Sequence, residues 1–401
     1  MKPNPRRRFL QLAPVAALAG CAAKPDEKTE DEKLPSMVGA PIRAYGERSP
    51  HDKTKRLVPD LKRPQLGSTR APLADTEGII TPAGLHFERH HAGVPDIDPA
   101  KHSLLIHGLV DRPLAFSMAE LKRLPSESRI HFIECSGNSG GEWKAPGGPD
   151  AARSCGLASC SEWTGVSLKV LLDEAGLKKE GKWLLAEGAD ACKMFRSLPI
   201  EKCLADCFVA YAQNGEALRP EQGFPLRLMV PGYEGNVCVK WLRQIKVVDV
   251  PYQSREETSH YTDLLPDGTA RQFSFVVDAK SIITSPSGGQ KMNGAGFHEI
   301  RGLAWSGRGR IDRVDVSTDG GKTWVKATLQ EPRLSMAFTR FRMPWQWDGQ
   351  PVEIMSRAVD ESGYVQPTRE ELVAARGVNS QYHYNGIKSW KIESDGSVKG
   401  A

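Results

Sequence analysis

Residues 130–140 of the chain read IHFIECSGNSG. Ile130, Phe132 and Ile133 favour an extended, partly buried chain, and the polar and glycine-rich residues that follow cannot continue a strand. The stretch therefore predicts a short apolar strand that runs into a turn. Cys135 lies at the junction of the two.

Cys135 allows two interpretations at this stage. A thiol at a strand end, bordered by glycines that let other groups approach the backbone, is well placed to bind a soft metal or to act as a nucleophile. A free cysteine is also commonly a small buried hydrophobic residue. The stretch alone favours neither, so a functional and a structural thiol both stay open.

Length and composition bound the class of protein. The chain has 401 residues, of which 39% are hydrophobic and 26% are charged. This length is enough for two domains or for one domain with a large appendage, and the composition is that of a soluble globular protein. After the first 21 residues no apolar run approaches the length of a membrane span.

The N-terminus predicts export. Residues 6–10 read RRRFL and precede an apolar run at 12–20. The Arg-Arg-x-Phe-Leu pattern is that of a twin-arginine export signal. The apolar run after it is too short to cross a bilayer, as expected of a signal peptide. We expect residues 1–21 to be this signal and the protein to reach the periplasm folded, with a cofactor inserted in the cytoplasm.

The end of the signal also predicts a lipid anchor. Residues 18–21 read LAGC and resemble a bacterial lipobox, in which Cys21 would become the lipidated first residue of the mature chain. The polar residues after it would form a tether. Ordinary cleavage that discards Cys21 is the alternative.

The charge argues against nucleic acid as a partner. The formal net charge is +5, but Lys2, Arg6, Arg7 and Arg8 leave with the signal, which lowers it to +1. A nearly neutral mature chain lacks the basic surface that nucleic-acid binding requires.

Seven cysteines remain after Cys21. An odd number in an oxidising compartment leaves at least one thiol unpaired, and the spacings at 155/160 and 203/207 have no nearby histidine pair, which disfavours zinc. Disulfides at Cys155/Cys160 or Cys203/Cys207 stay open. The chain has no Cys-x-x-Cys-His motif, so we expect no c-type haem in it.

The composition and the predicted secondary structure change twice along the chain. Residues 22–75 are rich in proline and charge and predict an extended arm. Residues 76–250 predict an α+β domain of strands, short helices and long loops, with strands at 102–108, 225–230 and 237–250 and a capping box formed by Ser117 and Glu120. Residues 251–401 form the last segment.

This last segment predicts a β-sandwich. Short strands separated by turns begin near residue 272, with no helical pattern, and residues 318–321 read TDGG, a strong hairpin signal. Strands at this spacing are typical of an immunoglobulin-like sandwich, which gives an α+β fold overall with a second, all-β domain.

Several motifs occur in the order found in one enzyme family. They are TPAGLHFERHH at 81–91, CSGN at 135–138, NGEALRPEQGFPLR at 214–227 and VKWL at 239–242. Over residues of about 76 to 395 the chain resembles the sulfite oxidase family of molybdenum enzymes. The stretches at 254–258, 263–268 and 304–309 resemble the sulfane (sulfite) dehydrogenase branch of that family.

The resemblance implies a cofactor and the residues that hold it. Cys135 would ligate a molybdenum that is otherwise bound by the dithiolene of one pyranopterin, as suits a soft thiolate. His90 replaces the family's usual asparagine, and Gln222 replaces a histidine. The implied cofactor-binding residues are Phe87, Arg89, His90, His91, Asp190, Gln222, Arg227, Cys238, Val239 and Lys240.

The resemblance also implies catalytic residues. Tyr211 matches the family's active-site tyrosine, which can hydrogen-bond substrate and pass protons. Arg376 matches an arginine that the second domain sends to the substrate pocket, and with Arg89 it would hold an anionic sulfur compound. At Gly140 animal-type sulfite oxidases carry an arginine, so we expect a less cationic, more open pocket here.

Together with the export signal, the resemblance implies an exported oxidoreductase that adds oxygen from water to sulfur and passes electrons to a c-type cytochrome. A sulfane sulfur bound to a carrier protein is the favoured substrate, and free sulfite is the alternative. An S-oxide reductase on the same fold and a non-catalytic binding module with an inert Cys135 also stay open. The family further suggests a homodimer formed through the second domain.

Overall fold

The computed structural model describes residues 41–401, which fall into two units. Residues 41–52 have no helix or strand and contain the ion pairs Arg43–Glu47 and Arg48–Asp52. Residues 53–401 form one compact unit. The predicted export signal, the lipobox and the first part of the arm lie outside the described residues. None of the described helices is long and apolar enough to cross a membrane.

Short helices and many strands make up the larger unit. The helices are α1 (Met118–Leu121), α2 (Ala151–Cys155), α3 (Leu168–Ala175), α4 (Ile200–Ala205), α5 (Arg255–Thr258) and α6 (Arg369–Arg376). The first strands are β1 (Gly67–Ser68), β2 (Arg89–His90), β3 (Ser103–Gly108), β4 (Leu114–Ser117), β5 (Ser126–Glu134) and β6 (Ala158–Ser167). They are followed by β7 (Trp183–Gly188), β8 (Phe195–Pro199), β9 (Phe208–Gln213), β10 (Glu216–Ala217), β11 (Arg227–Met229) and β12 (Leu242–Val248).

The remaining strands belong to the C-terminal part of the chain. They are β13 (Asp263–Leu264), β14 (Ala270–Arg271), β15 (Lys280–Ser285), β16 (Gly296–Trp305), β17 (Ile311–Ser317) and β18 (Val325–Lys326). The last are β19 (Thr328–Leu329), β20 (Thr339–Trp347), β21 (Val352–Asp360), β22 (Ser389–Ile392) and β23 (Val398–Gly400).

The described residues form four larger sheets and two two-stranded sheets, β1-β2 and β13-β14. In the N-terminal part, one sheet has the order β10-β9-β6-β5 with β11 also paired to β9, and the other has the order β4-β3-β12-β7-β8. In the C-terminal part the orders are β15-β16-β20-β19 and β18-β17-β21-β22-β23. The α+β class is therefore confirmed, and the C-terminal part is built on two sheets. An immunoglobulin-like strand order and the predicted domain boundary near residue 250 stay predictions.

Strand β5 links the two halves of the structure. Side chains alternate between the faces of a strand, so Phe132 and Ile133 point in opposite directions. Ile133 belongs to the hydrophobic cluster of the N-terminal sheets, whereas Phe132 belongs to the cluster of the C-terminal sheets, where its ring stacks on Phe338 at 6.4 Å. The strand that ends at Glu134 is thus fixed from both sides.

Several local predictions are confirmed. Ser117 caps α1 through the predicted capping box: its hydroxyl accepts from the Glu120 backbone N–H, and the Glu120 carboxylate accepts from the Ser117 backbone N–H. The TDGG turn joins β17 to β18, which pair antiparallel at Asp315 with Lys326 and at Val316 with Val325.

Two local predictions are wrong. The C-terminal segment contains helix α6, which has its own capping box at Thr368 and Glu371. Residues 237–241 are not strand, because the backbone turns through a 3-10 helix at Gly235–Val237 and a left-handed conformation at Trp241. This irregular segment leaves Val239 and Lys240 outside the sheet.

The seven described cysteines, from Cys135 to Cys238, are all free thiols. The Cys207 thiol donates to the Lys202 carbonyl at 3.3 Å, and only Cys135 and Cys192 of the described cysteines are partly exposed. Neither Cys155/Cys160 nor Cys203/Cys207 forms a disulfide in the described structure.

Gly165 gives a test of the packing between β6 and β9. A Cβ added there would lie 2.0 Å from the Val209 carbonyl oxygen, and backbone cannot move away cheaply. We expect Gly165→Ala to lower the free energy of unfolding by about 2–3 kcal/mol. Urea denaturation measures this.

Gly84→Ala is the matched control for that substitution. The nearest atom to an added Cβ at Gly84 belongs to the Arg219 guanidinium, 3.8 Å away. The control should change stability by no more than about 0.5 kcal/mol. Equal effects of the two substitutions would contradict the packing described here.

Candidate active site

A cavity with an empty volume of about 710 Å³ opens beside the end of β5. The structure places almost all of the predicted site residues in its walls. Those residues are Phe87, Arg89, His90, His91, Cys135, Asp190, Gln222, Arg227, Cys238, Val239 and Lys240.

Cys135 lines this cavity. It also lines a smaller cavity with Asp278, Lys280 and His383. Its backbone N–H donates to the Leu157 carbonyl at 2.9 Å, which holds the residue against β6. Burial raises the pKa of the free thiol, whereas a bound metal would remove its proton.

The loop after Cys135 is fixed by Asn138. The Asn138 backbone N–H donates to the Cys135 carbonyl at 2.8 Å, and its side-chain amide donates to Glu134 at 2.8 Å and to the Cys155 carbonyl at 3.0 Å. Its side-chain oxygen accepts from the Leu157 N–H at 3.1 Å. Every polar atom of this side chain is used, so CSGN is a rigid turn.

Lys240 forms a buried cationic centre in the wall of the same cavity. Its ammonium donates to the carbonyls of Arg89 and Glu221, both at 3.1 Å, and lies 2.9 Å from His90 Nδ1. His90 Nε2 lies 2.8 Å from a Glu88 carboxylate oxygen. Burial, followed by the charge of Arg227, lowers the pKa of Lys240 to about 7.

Arg227 is a second buried cation. It donates to the carbonyls of Gln222 at 2.9 Å and Cys238 at 3.2 Å, and its guanidinium lies over the Trp163 ring. The Gln222 side chain donates in turn to the Phe87 carbonyl at 3.0 Å. Burial lowers the pKa of Arg227 to about 10.

An unpartnered donor in the cavity wall indicates an anionic ligand. Arg227 Nε is buried without a hydrogen-bond partner in the described residues. Buried polar groups are normally satisfied, so this position is suited to an acceptor atom of a bound group. A thiol and two buried cations in the walls of one cavity fit a metal held by a phosphate-bearing cofactor.

Tyr261 is a cavity residue that the sequence interpretation missed. Its hydroxyl lies 3.2 Å from His91 Nε2, and the Arg196 guanidinium lies 4.8 Å from its ring centroid. Burial, followed by the proximity of Cys135, raises its pKa. Tyr261 follows SREETSH at 254–260, part of which carried the narrower resemblance, so a signal was present.

The prediction for Tyr211 is not supported by its position. Tyr211 is not among the described residues that line the cavity, and its ring lies 5.9 Å from the Lys122 ammonium and packs on the N-terminal core. A strand directs alternate side chains to opposite faces, and the β6–β9 register shifts at Thr164 and Gly165, beside Tyr211. The geometry therefore favours Tyr261 as the active-site phenol.

Arg376 also lies outside the walls of the main cavity. Its guanidinium bonds the Asp278 carboxylate and the His383 carbonyl, both at 3.2 Å. Asp278 lines the smaller cavity beside Cys135, so Arg376 reaches that region only through Asp278. The ion pair balances the positive charge that the sequence predicted for the substrate pocket.

Asp190 and Gly140 show two further details. The Asp190 carboxylate accepts a hydrogen bond from the Cys192 thiol at 2.7 Å. A Cβ added at Gly140 would lie 3.0 Å from the Gln381 carbonyl oxygen. Backbone therefore occupies the space immediately beside Gly140, so the pocket is not simply more open at this position.

Comparison with known proteins agrees with this geometry. Residues 91–256 match the oxidoreductase molybdopterin binding domain, and residues 271–389 match the Mo-co oxidoreductase dimerisation domain. The chain is 33% identical over 319 residues to sulfite oxidase of Gallus gallus, with 73% of this chain and 69% of that protein covered. It is 32% identical over 327 residues to mitochondrial sulfite oxidase of Mus musculus, and spans 58% of that protein.

A solved structure is similar over most of the chain. It is the sulfane dehydrogenase SoxCD from Paracoccus pantotrophus, with a TM-score of 0.89 and 46% sequence identity. The match covers 93% of this chain and 97% of that chain.

Lys240 gives a pH-dependent test of the buried cation. The pKa of Lys240 is lowered from 10.5 to about 7 in the folded protein, so between these values the unfolded chain binds more protons. Stability from this group must then rise with pH above about 7. In cofactor-free protein we therefore expect the free energy of unfolding of Lys240→Met, relative to that of the unsubstituted chain, to be higher at pH 6 than at pH 9.

Urea denaturation at the two pH values measures this difference. The hydrogen bonds lost in the variant change its stability equally at both pH values. The difference between the stability changes at pH 6 and pH 9 therefore isolates the ionisation of Lys240. Substitution of the exposed Lys322 by Met is the control and should show no such difference. A pH-independent effect of Lys240→Met would refute the assigned pKa.

Proposed function

The chain belongs to the sulfite oxidase family of molybdopterin oxidoreductases, and we propose that it oxidises a sulfur compound with oxygen derived from water. The observation that carries this proposal is the single cavity that Cys135 lines together with the buried cations Arg227 and Lys240. The electrons of the reaction would pass to a c-type cytochrome. This acceptor is a proposal drawn from the absence of a haem motif in the sequence.

The residues of the cavity divide into two roles. Cys135 would ligate the metal, and Arg227, Lys240, His90 and Gln222 would hold the pterin and its phosphate. Mo-molybdopterin, when bound by these residues, would supply two-electron oxygen-transfer chemistry. Lys240 cannot move freely because its ammonium already donates to three acceptors, so the cofactor would meet a preorganised cation.

Arg89, His91 and Tyr261 would act on the substrate side. Arg89 contributes a cation that attracts an anionic sulfur compound. Burial lowers the pKa of His91 to about 4, so its imidazole is neutral at neutral pH. A neutral imidazole 3.2 Å from a protonated phenol can accept its hydrogen bond, which would orient the phenol and leave its oxygen able to accept a hydrogen bond in turn.

A carrier-bound sulfane sulfur is the proposed substrate. The support is the similarity to a sulfane dehydrogenase over 93% of the chain and the presence of Gly140, which adds no charge to the pocket. Free sulfite is the second candidate, and it is favoured by the similarity to sulfite oxidases. Export to the periplasm and a lipid anchor at Cys21 remain part of the proposal, as does a homodimer formed through residues that match the dimerisation domain.

A substrate assay tests the proposed reaction. We expect purified, molybdenum-loaded protein to reduce cytochrome c with a protein-bound cysteine persulfide faster than with sulfite or thiosulfate. Spectrophotometry of the cytochrome measures the rate. Preference for free sulfite would support the second candidate, whereas activity only in the reduction of methionine sulfoxide would rule out both oxidations.

Tyr261 and Tyr211 provide a matched pair of variants. Tyr261→Phe removes the hydroxyl beside His91 and should lower kcat about 10²-fold. Tyr211→Phe removes a hydroxyl outside the cavity and should leave kcat close to that of the unsubstituted enzyme. Steady-state kinetics compares the two, and a larger loss in Tyr211→Phe would restore the original sequence interpretation.

A further inference from the structure

The residue before Cys135 faces away from the cavity. Alternation along β5 places Glu134 on the same face as Phe132, toward the C-terminal sheets, whereas Cys135 faces the N-terminal side with Ile133. The Glu134 carboxylate is nevertheless buried, with 5% of its surface exposed. A buried carboxylate needs partners, and the C-terminal sheets supply them.

Lys280 and Trp305 are these partners. They lie directly opposite each other in the β15–β16 register, so their side chains share one face. The Lys280 ammonium donates to Glu134 Oε1 at 2.9 Å, and the Trp305 indole N–H donates to Glu134 Oε2 at 2.6 Å. Neither residue contacts the main cavity.

The same lysine also holds the far end of the cysteine loop. Lys280 donates to the Ser139 hydroxyl at 2.9 Å and to the Tyr384 carbonyl at 2.8 Å. These bonds, with the bond to Glu134, use all three ammonium protons. Ser139 has a left-handed backbone, with φ of +61°, which surrounding contacts must maintain. Lys280 therefore joins residues 134 and 139, on either side of Cys135.

We propose that Lys280 and Trp305 are positioning residues for Cys135, so that the C-terminal sheets form part of the scaffold of the metal site. They act through Glu134 and Ser139 and fix the direction in which the Cys135 sulfur points. The inference rests on the family's molybdenum chemistry at Cys135. It does not depend on which sulfur compound the enzyme oxidises.

Lys388 provides a matched control for the loss of stability that follows removal of any buried, paired lysine. Lys388 pairs with Glu142 at 3.3 Å, and both side chains are as buried as Lys280 and Glu134. Its ammonium bonds Glu142, which lies beyond the 134–139 loop. Lys280→Met and Lys388→Met thus remove equivalent charges from different places.

The test measures the metal site without using the substrate. Purified, molybdenum-loaded variants are titrated with dithionite, and the Mo(V) signal is recorded by electron paramagnetic resonance. Lys280→Met should shift the g-values and lower kcat about tenfold or more, as loss of residues that orient a metal ligand does. Lys388→Met should keep the g-values of the unsubstituted enzyme even where it loses thermal stability.

Trp305→Phe keeps the test decisive if Lys280→Met folds poorly. It removes one hydrogen bond to Glu134 and keeps an aromatic ring, and it should shift the g-values in a smaller degree. Hydrogen exchange of the 134–139 peptide in the purified enzymes gives a second readout. Exchange should be faster in Lys280→Met and Trp305→Phe than in Lys388→Met.

The proposal is overturned if the variants at Lys280 and Trp305 match Lys388→Met in both g-values and peptide exchange. If the unsubstituted enzyme gave a Mo(V) signal but oxidised no sulfur compound, that result would contradict the proposed function and leave the role of Lys280 untouched. The exchange measurement does not require molybdenum, so it tests the role of Lys280 even if the metal assignment fails.

Discussion

The structure depends on the way β5 is held between two hydrophobic clusters. Phe132 packs with the C-terminal sheets and Ile133 with the N-terminal sheets, so neither half of the structure alone fixes the strand. Because side chains alternate along a strand, Glu134 points toward the C-terminal sheets and Cys135 toward the N-terminal sheets. The position of the reactive sulfur is therefore set by packing around the strand, and the polar contacts of Glu134 and Asn138 stabilise the turn that follows.

The second constraint is electrostatic. Arg227 and Lys240 are enclosed in the cavity wall, and burial of cations costs free energy unless an anion or hydrogen-bond acceptors compensate it. Carbonyl oxygens satisfy part of their donors, but Arg227 Nε has no partner in the described part of the chain. A bound phosphate-bearing cofactor would complete this set and stabilise the folded protein by mass action. The cavity is thus built at a cost that its ligand offsets.

Much of the site was predictable from the sequence because its residues lie in short ordered motifs. Arg89, His91, Cys135, Arg227 and Lys240 come from separate segments, yet the structure brings all of them to one cavity. The two misplaced residues failed for physical reasons. Tyr211 lies beside a register shift that the sequence does not reveal, and the charge of Arg376 is balanced by Asp278, which is 98 residues away in the chain.

For the fold as well, features set by local sequence were predictable and features set by long-range pairing were not. Local signals such as the Ser117 capping box and the TDGG turn were sufficient where the structure is decided locally. Helix α6 has an equally clear capping box at Thr368 and Glu371, and it was missed because the surrounding strands dominated the pattern. Lys280 and Trp305 could not be linked to Cys135 from the sequence, because only the β15–β16 register places them side by side.

The proposed chemistry depends on ligation of molybdenum by Cys135. X-ray absorption spectroscopy at the molybdenum edge tests this ligation on the purified enzyme and on Cys135→Ser, with the metal content of both measured. We expect the variant to retain the cofactor, because Arg227 and Lys240 are unchanged, but to have one sulfur neighbour fewer around the metal. An unchanged number of sulfur neighbours in Cys135→Ser would show that Cys135 is not a ligand.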